Sequence, residues 1–259
     1  MTLKATGMSD RIQYWLLRRL YPSDPDHLTG NAYVGRSKLK ALLGDDIFGR
    51  LRGKTAVDFG CGYGDQTIEL AQNGVGMAVG LDVRDSVLES ARTKSRGLKN
   101  ITFTRPEDLE PRYEFADAII SLDAFEHFED VPGILREMHA LLKPGGMLLA
   151  SFGPPWKHPL GGHSFSPFPW AHLLLSEAAL CRWYSETKKT RVSRFGDVSG
   201  GLNQMTVAHF EALAHSSPFE TVRITPVPIR KLRRLHSRLT REYTTAVVTC
   251  ELRKSGGNP

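Results

Sequence analysis

From Thr55 to Phe152 the apolar positions fall into short continuous runs, and between most of these the apolar residues recur at helical spacing instead. The runs at 55–60, 77–82, 100–104, 116–121 and 146–152 predict strands, and the amphipathic stretches 64–73, 85–95 and 131–142 predict helices. Further strands are expected near 219–225 and over 243–252, with a helix near 206–215 before them. This pattern implies an α/β fold, Rossmann-like and doubly wound, with a mostly parallel seven-stranded sheet whose ligands sit at the C-terminal ends of the strands.

Two segments break the rhythm. Ahead of the sheet, Ile12, Trp15, Leu16 and Leu20 share a helical face among Arg11, Arg18 and Arg19, which suits a lid over the cleft or a helix lying on a membrane surface. A turn-rich break at 21–26 and a second helix over 37–50 follow. After the fifth strand, Pro154, Pro155, Pro159, Pro167 and Pro169 prevent regular structure, while Trp156, Phe165, Phe168, Trp170, Trp183 and Tyr184 supply aromatic surface. With a helix around 169–183, residues 153–203 read as an inserted cap over the cleft.

The chemistry concentrates where the first strand runs into Gly60-Cys61-Gly62-Tyr63-Gly64. Glycines there permit a tight strand-to-helix turn and let a ligand rest against bare backbone at a helix N-terminus. Asp82 ends the second apolar run, 20 residues after Gly62, where nucleotide folds place the acid that holds ribose hydroxyls. Asp58 puts a carboxylate near the turn, which repels a pyrophosphate and attracts an ammonium group, and Asp65 stands where a dinucleotide fingerprint has its third glycine. These residues favour a nucleoside carrying an amino acid over NAD.

Taken with the blocks 57–64, 80–83, 103–109, 117–127 and 141–149, the chain resembles the class I S-adenosylmethionine-dependent methyltransferases of small-molecule type. The resemblance implies S-adenosyl-L-methionine as cofactor and divides the chain into a helical lid (1–53), a cofactor-binding core (54–152), the aromatic cap (153–203) and the C-terminal part of the core (204–259). It implies that Gly60, Cys61 and Gly62 line the methionine portion near Asp58, that Asp82 takes both ribose hydroxyls, and that Val83 packs on the adenine. Glu107 and Asp108 compete for the adenine amino group. Ser121 and Leu122 follow the fourth strand beside the transferable methyl, with Asp123, Glu126 and His127 next.

Histidines complete the candidate site. Neutral imidazole suits the removal of a proton from a hydroxyl during methylation, and His163, flanked by Gly162 in the cap, is the preferred base, with His127 as its rival and His158 and His172 nearby in sequence. No spacing of histidines and carboxylates supports a metal site. The three cysteines, Cys61, Cys181 and Cys250, are odd in number and far apart, so disulfides are not expected, and without a leader-like or membrane-spanning apolar run the expected place is the cytoplasm.

An excess of 34 bases over 28 acids is matched by one segment, where Arg230, Lys231, Arg233, Arg234, Arg238 and Arg241 lie together without an acid. It reads as a helix with Leu232, Leu235 and Leu239 turned inward and a solvated, charged outer face; the alternative is that its charges draw in an anionic membrane or a phosphate-bearing carrier. Nucleic acid is disfavoured because no aromatic residue is interleaved with the bases. The resemblance implies a small-molecule acceptor, and the aromatic cap suits an apolar or aromatic one, with oxygen the first choice of receiving atom. The rival activities are a nucleotide-dependent oxidoreductase and a catalytically silent cofactor-binding interaction module.

Overall fold

The computed structural model describes residues 8–23, 33, 35–110, 113–198 and 201–256. Seven strands form one sheet: β1 (Thr55–Phe59), β2 (Met77–Leu81), β3 (Ile101–Thr104), β4 (Ala116–Leu122), β5 (Leu142–Phe152), β6 (Glu220–Pro228) and β7 (Thr245–Arg253). Their spatial order is β3-β2-β1-β4-β5-β7-β6, with β7 antiparallel to both neighbours and the other pairs parallel. The order therefore reverses between β1 and β4, which opens a crevice at their C-terminal ends.

The helices are α1 (Met8–Leu20), α2 (Lys38–Leu43), α3 (Ile47–Leu51), α4 (Asp65–Gln72), α5 (Asp85–Lys94), α6 (Val131–Leu141), α7 (Ala171–Leu174), α8 (Glu177–Thr187), α9 (Val207–Ser216) and α10 (Arg241–Thr244). Alternate strand residues serve opposite layers. Val57, Val79, Ile119 and Leu148 pack with α6 and α9 through Leu135, Met138 and Phe210, while Ala56, Ala78, Ile120 and Leu149 pack with α2 to α4 through Leu39, Ile47, Leu51 and Leu70. Burial on both faces is why the central strands read as unbroken apolar runs.

Several expected elements change at their ends. The helix over 37–50 is split at Gly44, whose φ of 104° is left-handed, and the helix over 169–183 becomes α7 and α8, with Trp170 at φ 62° before the first and Ser176 capping the second. On α1 the stripe that docks is Tyr14 and Leu17, continued by Tyr21 just past the helix end, and it joins Trp183, Phe165 and Phe195 in a core shared with the segment that follows β5. Trp183 Nε1 donates to the Tyr21 carbonyl at 2.7 Å, and α1 packs on α8. The expected apolar face is left outside: Ile12, Trp15, Leu16 and Leu20 are 57%, 58%, 43% and 66% exposed. Most of the turn-rich break, from Asp24 onward, lies outside the described residues.

The basic helix is the clearest correction. Only a 3-10 turn forms, over Arg230–Leu235, and the chain then loops to α10, leaving Leu235 and Leu239 64% and 92% exposed rather than buried. Like charges at helical neighbours repel, and no acid in the segment offsets them. Arg241, the last of the six bases, is tied down by a two-point fork to the Glu211 carboxylate at 2.6 and 2.5 Å. Among the described residues no helix is long and apolar enough to cross a membrane.

Candidate functional site

β1 delivers the chain into a turn whose Gly60, Gly62 and Gly64 have φ of 82°, 52° and 78°. Two backbone donors pin it to the next strand, Gly60 N and Cys61 N each reaching the Leu81 carbonyl at 2.8 Å. Gly64 is required twice over, by its φ and because a Cβ there would stand 2.7 Å from Ala91 and Phe103. The Cys61 side chain points away from the turn into a small cluster with Leu88, Ala91 and Phe103, so the turn offers a ligand Cys61 backbone and not its thiol.

At the end of β2, Asp82 is 6% exposed and meets the turn directly: Gly62 N donates to its Oδ2 at 2.9 Å. Arg84 supplies three more donors, its backbone N and Nε to Oδ1 at 3.0 Å each and Nη2 to Oδ2 at 3.1 Å. Burial alone would raise the Asp82 pKa, but the Arg84 bonds and charge outweigh it and hold the carboxyl below its ordinary value. Val83 beside it is 65% exposed. Glu107 and Asp108 lie exposed on a 3-10 turn just past β3, and Glu107 pairs with Arg105, which also reaches Asp85 at 3.2 Å.

Asp58 sits beneath the turn, 3% exposed, accepting from Thr67 Oγ1 at 2.6 Å. Burial pushes its pKa to about 6, against the pull of Thr67 and the Lys38 ammonium. Lys38, at the start of α2, pairs with Asp123 Oδ2 at 2.6 Å and so ties the N-terminal segment to the end of β4. A cavity of about 690 Å³ opens here between Tyr33, Arg36 and Lys38 on one side, Asp123, Gly153 and Pro154 at the strand ends, and Ala246 and Val247 of β7. Asp65 and Gln66, which open α4 directly after the glycine turn, complete its wall; neither Asp58 nor Asp82 lines it.

Ser121 and Leu122 are the last two residues of β4 rather than following it, and from there on the candidates separate by what they touch. Ser121 is fully buried and donates to the Phe59 carbonyl at 2.9 Å, so its hydroxyl stitches β4 to β1. Leu122 is 8% exposed among core side chains. Glu126 is buried; its Oε1 accepts from Gly153 N at 3.2 Å while Oε2 has no partner. Burial and the neighbouring Asp123 push its pKa up to about 8, leaving it neutral at pH 7. His163, with φ 50°, also buries an unpartnered nitrogen, Nε2, and its ring meets that of His127 edge-on at 5.8 Å. Burial and His127 pull the His163 pKa down to about 4.

His127 Nδ1 bonds the Gly201 carbonyl at 2.7 Å, which as a donor leaves Nε2 as the basic nitrogen. His172 is committed to structure, held between Ser166 Oγ and the Trp156 carbonyl at 2.7 and 2.5 Å, and His158 Nδ1 accepts from Leu160 N at 2.9 Å. Among the described residues no group of three or more His, Cys, Asp or Glu side chains is placed to hold a metal ion. Lys38, Arg84 and the isolation of Glu126 were not foreseen: a lysine opening one amphipathic helix and an arginine opening another carry no sequence signal of the carboxylate each will meet.

Residues 57–150 match the methyltransferase domain family. Among curated proteins the chain is 34% identical over 107 residues to the ubiquinone biosynthesis O-methyltransferase of Neisseria meningitidis serogroup C, covering 39% of this chain and 44% of that protein. It is 30% identical over 102 residues to the demethylmenaquinone methyltransferase of Staphylococcus epidermidis, covering 38% and 42%. The matched region thus spans less than half the length of these relatives. A solved S-adenosylmethionine-dependent methyltransferase from Mesorhizobium loti shares the fold at a TM-score of 0.53 and 19% identity, over 78% of this chain and 92% of that one. The [4+2]-cyclase SpnF does so too, at 0.53 and 16%, over 82% and 80%.

Proposed function

We propose that this chain, whose residues 57–150 match the methyltransferase domain family and whose fold is shared with a solved S-adenosylmethionine-dependent methyltransferase, moves a methyl group from S-adenosyl-L-methionine to an oxygen of a small-molecule acceptor. The observation that carries the reading is the bond from Gly62 N to Asp82 Oδ2, which joins a bare-backbone turn and a two-oxygen acid at adjacent strand ends. The residues present fit the cofactor: Asp82 for the ribose, exposed Val83 for the adenine face, Glu107 or Asp108 for its amino group, and Asp58 toward the amino-acid arm. The name of the Neisseria relative, an O-methyltransferase, supports oxygen as the receiving atom.

When bound, S-adenosylmethionine supplies a methyl group already activated by its sulfonium. The chain's own task is alignment and the exclusion of water. Glu126, neutral at pH 7, can donate a hydrogen bond to an acceptor, and His163, neutral and unpartnered at Nε2, can receive one. A base with a pKa of about 4 is too weak to ionise a hydroxyl beforehand; it suits a proton that becomes acidic as the oxygen gains its methyl. His127 stands behind it as the rival base. Calorimetry with S-adenosylmethionine, S-adenosylhomocysteine and NAD tests the reading: the first two should bind and NAD should not, while binding of NAD alone would favour the oxidoreductase.

The rival reading is a catalytically silent module that binds the cofactor without transferring its methyl group. Mass spectrometry of products from labelled S-adenosylmethionine separates the two. The basic segment is proposed to touch an anionic surface weakly, because exposed Leu235 and Leu239 stand among Arg230, Lys231, Arg233, Arg234 and Arg238. Sedimentation with anionic vesicles that fades in salt is the expected result; no sedimentation would leave the segment as plain surface. The three free, buried cysteines support the cytoplasm as its compartment.

A further inference from the structure

We propose that Arg84 is a stand-in for the ribose: its guanidinium occupies the two acceptor positions on Asp82 that a nucleoside diol takes, and it swings away when the nucleoside enters. The inference rests on the proposed function, since it needs Asp82 to be the ribose acid. An ionised carboxylate offers about four lone-pair sites. On Asp82 all are filled, by Gly62 N, Arg84 N, Arg84 Nε and Arg84 Nη2 at 2.9 to 3.1 Å.

Two of those donors cannot leave. Gly62 N belongs to the glycine turn, and Arg84 N to the chain that enters α5. The guanidinium can, because the Arg84 side chain is 49% exposed and Asp82 is the carboxylate that holds it. The other titratable groups that face it are Tyr63 and Cys61, and neither is a carboxylate that could serve as a competing anchor. Its two parallel N–H donors address both oxygens of one carboxylate, as two adjacent ribose hydroxyls do. The fork therefore keeps Asp82 ionised, aimed and satisfied until a diol replaces it donor for donor.

Two consequences follow. Cofactor affinity is lowered by the fraction of molecules in which Arg84 sits on Asp82, and removing the fork should raise it. The ion pair is half open to water, so the competition is modest, and the gain for Arg84→Gln or Arg84→Ala should be about threefold to tenfold. Had Arg84 stayed in place to contact the nucleoside, the same substitutions would weaken binding.

The test is calorimetric titration of the full chain with S-adenosylhomocysteine, in the wild type, Arg84→Gln and Arg84→Ala, together with the Arg84 Nε–H resonance of the wild type. Tighter binding by both variants, and an Nε–H that exchanges slowly in the free protein and loses that protection at saturation, is the expected outcome. Equal or weaker binding by the variants, or an Nε–H still protected at saturation, overturns the role of Arg84 and leaves the cofactor assignment standing. A wild type that binds no S-adenosylhomocysteine overturns both. The resonance decides the matter even if a variant fails to fold.

Discussion

Glu126→Gln should change how stability depends on pH. The wild-type carboxyl is 4% exposed, with Oε2 unpartnered and a pKa pushed by burial and Asp123 from 4.5 to about 8. Between those values the folded protein keeps a proton that the unfolded chain has released. Stability held by the neutral carboxyl is therefore fully present below pH 4.5 and is lost as pH rises toward 8, at about 1.4 kcal/mol per pH unit. From pH 5 to pH 7 the wild type should lose about 2 to 3 kcal/mol through this group alone. Glutamine keeps an oxygen for Gly153 N and cannot ionise, so it abolishes the slope. Its unpaired amide adds a cost that does not vary with pH, much as the unpaired acid does. Urea titrations of both proteins at pH 5, 6, 7 and 8 measure the difference. The variant should gain on the wild type steadily with pH. A constant difference across that range would refute the claim that Glu126 is held neutral, and with it the proposed hydrogen-bond donor to the acceptor.

Gly64→Ala should destabilise the fold by about 2 to 3 kcal/mol, since it combines a left-handed φ of 78° with contacts at 2.7 Å to Ala91 and Phe103; a urea midpoint equal to the wild type would contradict that packing. Asp82→Ala should weaken S-adenosylhomocysteine binding by roughly 1.5 to 3 kcal/mol for each ribose bond lost, and unchanged calorimetric affinity would remove Asp82 from the site. His163→Ala should lower turnover of an oxygen acceptor with little change in cofactor affinity. His127→Ala should chiefly cost stability, through the lost bond to Gly201; the reverse pattern moves the base to His127.

The sheet was legible because its strands carry the information locally. Runs such as Ala116–Leu122, buried on both faces, have no other stable place, and the glycine turn and Asp82 announce themselves by residue type and spacing. What escaped depended on which of two faces finds a partner. Along α1 and just past its end, both Ile12-Trp15-Leu16-Leu20 and Tyr14-Leu17-Tyr21 keep helical spacing, and only the aromatic core of the segment that follows β5 selects the second. At 230–241 the leucine spacing favoured a helix, but mutual repulsion of the bases and the extension of β6 to Pro228 left a 3-10 turn. Ser121 was placed beside the methyl group by its position after the strand, while its hydroxyl is spent on Phe59. The acceptor side was hardest to read, because Glu126, His163 and Lys38 derive their character from burial and from partners far away in sequence.

Methyl transfer to a small molecule is measured most directly with S-adenosylmethionine labelled in the methyl group. The purified chain would be incubated with a protein-free extract of small molecules, and the label followed by mass spectrometry, with Asp82→Ala as the control. Label is expected in an oxygen-methylated small molecule, formed by the wild type and sharply reduced in the variant. Cofactor binding without any labelled small-molecule product, across extracts of diverse origin, would contradict methyl transfer and leave a catalytically silent cofactor-binding module in its place.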